Sequence, residues 1–180
     1  KKKKKRWNVE VIKFLITGGA GFIGAHLFKH CILQGHRVDI CDNNSRGQMD
    51  EFVSKLLKNT TARFIQLDLT KQEQVKSLDK DYDLIFHLAA INGTENFYSV
   101  PFSVMEVALS STMLLLKHFK NTGVKFVFSS SSEVYADSIG PNSSLVPTNE
   151  NVPCSINDVL NERFSYGGSK LACEIFFFFF

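Results

Sequence analysis

A tyrosine and a lysine in the segment YGGSK have the types and the spacing of a proton-transfer pair. Tyr166 and Lys170 lie four residues apart, so on a helix both side chains project from one face. An ammonium group held near a phenol favours the phenolate, and any further positive charge nearby strengthens the effect. The pair therefore predicts a general base that works near neutral pH, although the same spacing also occurs by chance in helices without a catalytic role.

A run of hydroxyl groups, SSSSEVY at residues 129–135, precedes this pair. It follows an apolar stretch with the composition of a strand. Serine hydroxyls in such a place can take part in chemistry, or they can simply satisfy the backbone of the loop. The residues alone leave both interpretations open.

A glycine-rich segment, TGGAGFIG, lies between two apolar runs near the start of the chain. Gly18 allows a tight turn from strand to helix, Gly21 lets the backbone approach a pyrophosphate, and Gly24 lets the helix pack close to the strand. The helix that begins at Phe22 and Ile23 presents N–H groups and the positive end of its dipole to phosphates. The segment predicts a dinucleotide site; glycines that serve only the turn are the alternative.

An acidic residue stands where such a site needs one. Asp42 closes the second predicted strand, 18 residues after Gly24, where a carboxylate binds the ribose hydroxyls. An aspartate repels a 2′-phosphate and so favours NAD over NADP, while the nearby Arg46 keeps NADP open. Asp68, after the third strand, is a candidate for the adenine amino group or for a turn. The other candidate cofactor contacts are Asn43, Leu69, Leu88, Ala89 and Ala90.

The elements that must position these residues alternate strictly between strand and helix. Strands are predicted at residues 11–17, 36–42, 63–69, 82–90 and 124–131, and helices at 22–34, 48–58, 71–78 and 101–120. A capping box at residues 70–73 opens the third helix, residues 92–100 form a loop, and residues 136–161 form an ordered loop or flap. Strict alternation predicts an α/β fold with a doubly wound parallel sheet, in which ligands bind beyond the carboxyl ends of the strands.

Composition and charge exclude several classes of partner. Residues 1–6 carry six positive charges, while residues 7–180 have a net charge of −3, so the first eight residues are interpreted as a disordered basic arm or tag. The rest has no basic stripe interleaved with aromatic residues, which excludes nucleic acid as the expected partner. Five phenylalanines at residues 176–180 are too few to span a bilayer. They are interpreted as an artefactual or unassigned tail that cannot extend a surface helix, and no membrane partner is predicted.

The cysteines and histidines point to neither disulfides nor a metal. The four cysteines show no C-x-x-C spacing, and no signal peptide precedes them, so we expect free thiols and a cytoplasmic location. His26 and His30 are spaced for one helix face but lack a third ligand nearby, and no metal site is predicted.

Taken together, these motifs resemble the extended short-chain dehydrogenase/reductase family, in its NAD-dependent nucleotide-sugar epimerase/dehydratase branch. The resemblance rests on TGGAGFIG, DNNSRG, DLT, HLAA, FSSSSEVY and YGGSK, in that order. It covers residues 9–175 and implies a Rossmann-type, three-layer αβα domain that binds NAD. Family members carry a further strand and a substrate domain after the Tyr–Lys helix, so we expect the substrate domain to be absent from these 180 residues.

The resemblance also implies roles for individual residues. Tyr166 is the catalytic base, Lys170 is its electrostatic partner and a ligand of the nicotinamide ribose, and Ser131 binds the reacting sugar hydroxyl. Ser132 and Glu133 match a pair that assists later steps in dehydratases and decarboxylases. Two departures from the family pattern stand out, namely ALSST with Ala108 in place of a frequent asparagine, and YAD in place of YGD.

The implied function is an epimerase or dehydratase that oxidises a nucleotide sugar transiently by hydride transfer at a sugar carbon, and thus combines oxidoreductase with isomerase or lyase chemistry. A nucleotide-sugar-acid decarboxylase is an alternative, since Arg163 gives an Arg-x-x-Tyr arrangement found in some of those enzymes, and so is a simple dehydrogenase/reductase. A non-catalytic NAD-binding scaffold or sensor is the alternative of another class. Family members pair the helix at residues 101–120 and the Tyr–Lys helix into a four-helix bundle, which implies a homodimer.

Overall fold

A computed structural model of the chain describes residues 10–46, 49–58, 60–135, 146–156 and 158–180. The predicted basic arm and residues 136–145 and 157 of the predicted flap lie outside the described residues. The strands are β1 (Lys13–Thr17), β2 (Arg37–Asp42), β3 (Arg63–Gln66), β4 (Leu84–His87) and β5 (Lys125–Phe128). They form one sheet in the order β3-β2-β1-β4-β5, with every neighbouring pair parallel. The predicted doubly wound, Rossmann-type α/β fold is confirmed.

Helices cover both faces of this sheet. They are α1 (Phe22–Leu33), α2 (Glu51–Lys58), α3 (Gln72–Lys76), α4 (Thr94–Ser99), α5 (Pro101–Phe119) and α6 (Phe164–Phe178), with a 3₁₀ turn at Ser132–Tyr135. Because successive side chains of a strand point to opposite faces, neighbours in β1 enter different cores. Leu15 packs in one cluster with Leu115 and Phe119 of α5, and Ile16 packs in the other with Phe28 of α1 and Val53 of α2. The three layers follow from this division.

Three local predictions were wrong. Residues 92–100 are not all loop, because α4 forms there with Phe97 as its buried residue. The capping box does not form, since α3 begins after Lys71 without a side-chain cap, and the hydroxyl of Thr70 instead donates to Asp68. The terminal phenylalanines do extend a helix, because the ring of Phe177 stacks on Phe128 at 4.8 Å and thereby anchors the last turn of α6. Within the described ranges, no helix is long and apolar enough to cross a membrane.

Candidate active site

The candidate residues collect where β1, β4 and β5 end. The hydroxyl of Thr17, the last residue of β1, accepts hydrogen bonds from the backbone N–H groups of Leu88 (3.1 Å) and Ala89 (3.2 Å), which follow β4. Gly18 has φ +67°, and a Cβ there would lie 2.9 Å from the nitrogen of Ala89. The loops after two neighbouring strands therefore touch, and only a glycine and small side chains fit between them.

Residues 18–21, which join β1 to α1 and are called the glycine turn below, leave the start of α1 open. A Cβ on Gly24 would lie 2.3 Å from the carbonyl oxygen of Gly18, so this glycine is needed for the helix to pack against the turn. A Cβ on Gly21 would meet, within 4 Å, only that same oxygen at 3.2 Å among the described residues. The first helical hydrogen bond runs from Ala25 to the oxygen of Gly21, so the preceding N–H groups have no acceptor within the helix.

These open N–H groups belong to Phe22, Ile23 and Gly24, and the N-cap residue Gly21 has no side chain to cap them. The side chains of Phe22 and Ile23 are 81% and 64% exposed. A helix N-terminus of this kind attracts an anion through its donors and its dipole.

Asp42 is held in a fixed orientation at the end of β2. Its Oδ2 accepts a hydrogen bond from the backbone of Ala20 in the glycine turn (3.1 Å), and its Oδ1 accepts one from the backbone of Asn44 (2.9 Å). The side chain of Asn43 accepts a hydrogen bond from Ser45 and so shapes the same loop. Arg46 donates to the carbonyl oxygen of Asn92 in the loop after β4. The carboxylate thus stands beside the glycine turn, as the sequence predicts.

Asp68 has the contacts of a turn residue. Its Oδ1 accepts hydrogen bonds from the backbone (2.9 Å) and the hydroxyl (2.7 Å) of Thr70, and its own N–H donates to Gln74. Leu69 is buried in the core, and Leu88 and Ala89 pack against opposite core clusters. Of the two interpretations of Asp68, these contacts favour the turn, while contact of Leu69, Leu88, Ala89 and Ala90 with a cofactor stays a prediction.

Tyr166 and Lys170 lie side by side on α6, as predicted. Tyr166 is 9% exposed, and its ring stacks on Phe97 of α4 with 4.6 Å between centroids and 13° between planes. The Nζ of Lys170 donates to the carbonyl oxygen of Ser129 at 2.6 Å and lies 5.6 Å from the centre of the Tyr166 ring. The pair is thus joined to the end of β5 by the lysine and to α4 by the tyrosine.

Burial, rather than the lysine, dominates the acidity of the phenol. Desolvation raises the pKa of Tyr166 above its ordinary value, the hydrogen bond with the side chain of Ser131 works in the opposite direction, and the negative charge of Glu133 adds to the increase. Burial lowers the pKa of Lys170. The role of Tyr166 as a base near neutral pH, which depends on Lys170 and on further positive charge nearby, stays a prediction.

Ser131, directly before the 3₁₀ turn, and Glu133, on that turn, are the two of the three predicted side chains that act on the phenol of Tyr166. Ser131 interacts with the phenol and accepts a hydrogen bond from the backbone of Glu133 (3.2 Å). Glu133 forms an ion pair with Arg163 at 3.3 Å. Ser132 lies on the turn itself, and its part in the site stays a prediction.

Two contributors to the site were missed by sequence reasoning. Phe97 escaped because its short helix was predicted as loop. Gly167 carries a signal in the sequence, as a glycine inside a helix, but only the structure shows its reason: a Cβ there would lie 2.7 Å from the carbonyl oxygen of Glu133. The glycine lets α6 rest directly on the 3₁₀ turn.

Comparisons with known proteins agree with this geometry. The model of the NAD dependent epimerase/dehydratase family matches residues 14–176. The chain is 32% identical over 147 residues to the bifunctional protein GAL10 of Candida maltosa, covering 78% of this chain and 95% of that sequence. It is 33% identical over 127 residues to the UDP-N-acetyl-alpha-D-glucosaminuronate decarboxylase of Bacillus cytotoxicus, covering 71% of this chain and 39% of that enzyme.

A solved structure gives the same result. The UDP-glucose 4-epimerase of Thermus thermophilus in complex with NAD superposes with a TM-score of 0.73 and 25% identity, over 92% of this chain and 49% of that one. The chain thus spans about half the length of this enzyme and less of the decarboxylase.

Proposed function

We propose, from the premise that the chain belongs to the NAD dependent epimerase/dehydratase family, that it binds NAD and supplies the proton-transfer residues for transient oxidation of a nucleotide sugar. The enzyme would be an epimerase or a dehydratase. One observation carries the proposal: the open start of α1 and the phenol of Tyr166 both lie at the carboxyl ends of the strands, where ligands of doubly wound sheets bind.

The residues present fit NAD. The N–H groups at the start of α1 without an acceptor in the helix suit a diphosphate, and Gly21 has no side chain to obstruct its approach. Asp42, whose carboxylate is fixed by Ala20 and Asn44, has lone pairs left for ribose hydroxyls. When bound, NAD accepts a hydride from a sugar carbon and returns it.

The side chains around Tyr166 would handle the proton of the same sugar hydroxyl. Ser131 orients the hydroxyl, and the phenolic oxygen of Tyr166 takes its proton. Lys170 has three donors, one of which is used on Ser129, so its charge and the others remain for the site. Burial raises the pKa of Tyr166. The positive charge that lowers this pKa toward 7 must therefore come from Lys170 together with the oxidised cofactor.

A decarboxylase is the second candidate, favoured by the ion pair between Glu133 and Arg163. Both side chains are partly exposed next to Tyr166, so Arg163 could exchange Glu133 for a substrate carboxylate. The relative from Bacillus cytotoxicus is named as a decarboxylase of a nucleotide-sugar acid. A homodimer through α5 and α6 stays a prediction, supported by the exposed apolar side chains of Phe102, Met105 and Met113 on α5.

The test begins with NAD binding by this chain in isothermal titration calorimetry. Turnover is then assayed in the full-length enzyme with UDP-glucose, UDP-N-acetylglucosamine and UDP-glucuronate, with products identified by mass spectrometry. We expect Tyr166→Phe to lower turnover by about 10²- to 10⁴-fold with little effect on NAD affinity. Tyr98→Phe, which changes an exposed tyrosine on α4, is the matched control.

The outcomes separate the alternatives. An unchanged turnover in Tyr166→Phe would eliminate the catalytic assignment. Loss of carbon dioxide from UDP-glucuronate alone would favour the decarboxylase. NAD binding without exchange of hydride on any sugar would favour the scaffold or sensor.

A further inference from the structure

A chain of buried polar groups runs beneath the candidate active site and crosses four elements. The hydroxyl of Thr17 (β1) lies 2.8 Å from Nδ1 of His87 (β4), whose Nε2 lies 3.1 Å from the hydroxyl of Thr112 (α5). That hydroxyl lies 3.3 Å from Sγ of Cys173 (α6), which lies 3.5 Å from the carbonyl oxygen of Ala108. The residues whose side chains form these links are at most 1% exposed.

The direction of every hydrogen bond in the chain follows from its first member. The oxygen of Thr17 already accepts two backbone N–H groups, from Leu88 and Ala89, and a hydroxyl has two acceptor positions. Its proton must therefore be donated to Nδ1 of His87, which leaves the histidine proton on Nε2. Nε2–H donates to Thr112, the hydroxyl of Thr112 donates to the sulfur of Cys173, and the thiol donates to the oxygen of Ala108.

This direction is stable because His87 stays neutral. A second ring proton would place two donors face to face at Thr17. Burial, with a smaller contribution from the positive charge of Lys170, lowers the pKa of His87 to about 3. A buried polar network in which every member is satisfied holds its elements in one arrangement.

The two ends of the chain touch the two halves of the candidate site. Thr17 directly precedes the glycine turn. Cys173 follows Lys170 by three residues and Tyr166 by seven, so all three share one face of α6. Rotation or sliding of α6 that moved Tyr166 away from Ser131 would also break the contact between Thr112 and Cys173.

We propose that Thr112 and Cys173 are positioning residues that fix the rotation of α6 and thereby place the phenol of Tyr166 against Ser131. The importance of this placement rests on the function proposed for Tyr166, but the placement itself can be measured without turnover. The alternative is a polar patch that contributes to stability alone.

The test measures the phenol directly. The protein is labelled with 3-fluorotyrosine, whose fluorine lowers the phenol pKa enough for titration under mild conditions. The ¹⁹F signal of residue 166, one of four tyrosines, is assigned by its loss in Tyr166→Phe. Cys173→Ala removes the link on α6, Cys173→Ser restores a group that accepts and donates, and Cys31→Ala deletes a sulfur from the core cluster on the other side of the sheet.

We expect Cys173→Ala to raise the titration midpoint of residue 166 by about half a pH unit or more, a threefold loss of acidity, because the hydrogen bond from Ser131 favours the phenolate. Cys173→Ser should return the titration midpoint to that of the parent chain. Cys31→Ala should leave the titration midpoint unchanged, while it lowers the thermal midpoint of unfolding about as much as Cys173→Ala does. Equal midpoints of residue 166 in Cys173→Ala and the parent chain would overturn the proposal.

A second pair of variants guards against a failure to fold. Thr112→Val removes the hydroxyl at nearly constant volume and should shift the same signal, whereas Thr112→Ser should not. If neither Cys173→Ala nor Thr112→Val folds while Cys31→Ala does, the chain of polar groups is required for folding as a whole and the positioning role is rejected. If Tyr166→Phe retains full turnover but these shifts occur, the proposed function fails and the positioning link stands.

Discussion

The glycine turn after β1 and the contact between the 3₁₀ turn and α6 solve the same steric problem over different sequence separations. A Cβ on Gly24 would lie 2.3 Å from the carbonyl oxygen of Gly18, and a Cβ on Gly167 would lie 2.7 Å from that of Glu133. In both places a glycine lets one backbone segment rest on another. The first pair is six residues apart and the second is 34 residues apart.

This difference separates two kinds of site. The glycine turn is a local structure, so its cradle for an anion forms wherever the strand, turn and helix form. The region around Tyr166 is assembled from α4, the 3₁₀ turn and α6, which lie far apart in the sequence. A change in the first region should act on folding of the turn, and a change in the second should act on the alignment of pieces that are distant along the chain.

Gly24→Ala should have the largest effect on stability. The added Cβ would collide with backbone atoms of Gly18 and Gly19, which belong to the same tight turn. Overpacking costs about 1–3 kcal/mol and occasionally more, and we expect Gly24→Ala to lie at the upper end of that range, which is a large fraction of the stability of a domain this size. Urea unfolding monitored by circular dichroism measures the effect, and a loss below about 1 kcal/mol would show that the turn is softer than its contacts indicate.

Gly167→Ala should have an intermediate effect on stability and a strong effect on Tyr166. Alanine favours the helix by about 0.5–1 kcal/mol, but its Cβ would press on the 3₁₀ turn, and we expect a net loss of about 1–2 kcal/mol. The turn would move away from α6, and the contact between Ser131 and the phenol would weaken.

Gly168→Ala is the matched control for that variant. Among the described residues, its Cβ would meet only the end of the flexible Ile156 side chain, at 2.9 Å. The helix preference should therefore dominate, and the free energy of unfolding should change by less than about 1 kcal/mol. The same urea experiment compares the two variants. Equal losses in both would mean that the contact with Glu133 does not hold α6 in place.

The sequence predicts the fold well because the fold depends on local signals. The alternation of apolar runs indicates all five strands, and a parallel sheet leaves few arrangements for them. Helix ends and short elements were harder to predict from the sequence. The helix α4, for example, is only six residues long and depends on the packing of Phe97. The continuation of α6 through Phe178 depends in the same way on a tertiary contact, that of Phe177 with Phe128.

The candidate site divides along the same line. Gly18, Gly21, Gly24 and Asp42 could be predicted with their geometry, because the turn that joins them is local. Tyr166 and Lys170 could be predicted as a pair on one helix face, but their partners could not. That Lys170 donates to the carbonyl oxygen of Ser129 is set by the packing of α6 against β5, and no spacing in the sequence encodes it.

Gly21→Ala should have the smallest effect on stability and yet the clearest effect on NAD. Gly21 has φ −74° and ψ 170°, a conformation open to any residue, and its Cβ would meet only the oxygen of Gly18 at 3.2 Å among the described residues. We expect the free energy of unfolding to change by less than about 1 kcal/mol. If NAD approaches the start of α1 through this space, the methyl group should weaken its binding about tenfold or more, equivalent to about 1.4 kcal/mol.

The opposite pattern is expected at the other end of the same helix. Gly35 has φ +84°, and no atom of the described residues lies within 4 Å of its Cβ position. Gly35→Ala should therefore cost about 1 kcal/mol through backbone strain and leave NAD affinity unchanged. Calorimetric titration with NAD and urea unfolding on both variants measure the two effects separately. Unchanged NAD affinity in Gly21→Ala would mean that the glycine turn has only a structural role. The contact of Gly24 with Gly18 and that of Gly167 with Glu133 would then be alike in role as well as in steric cause.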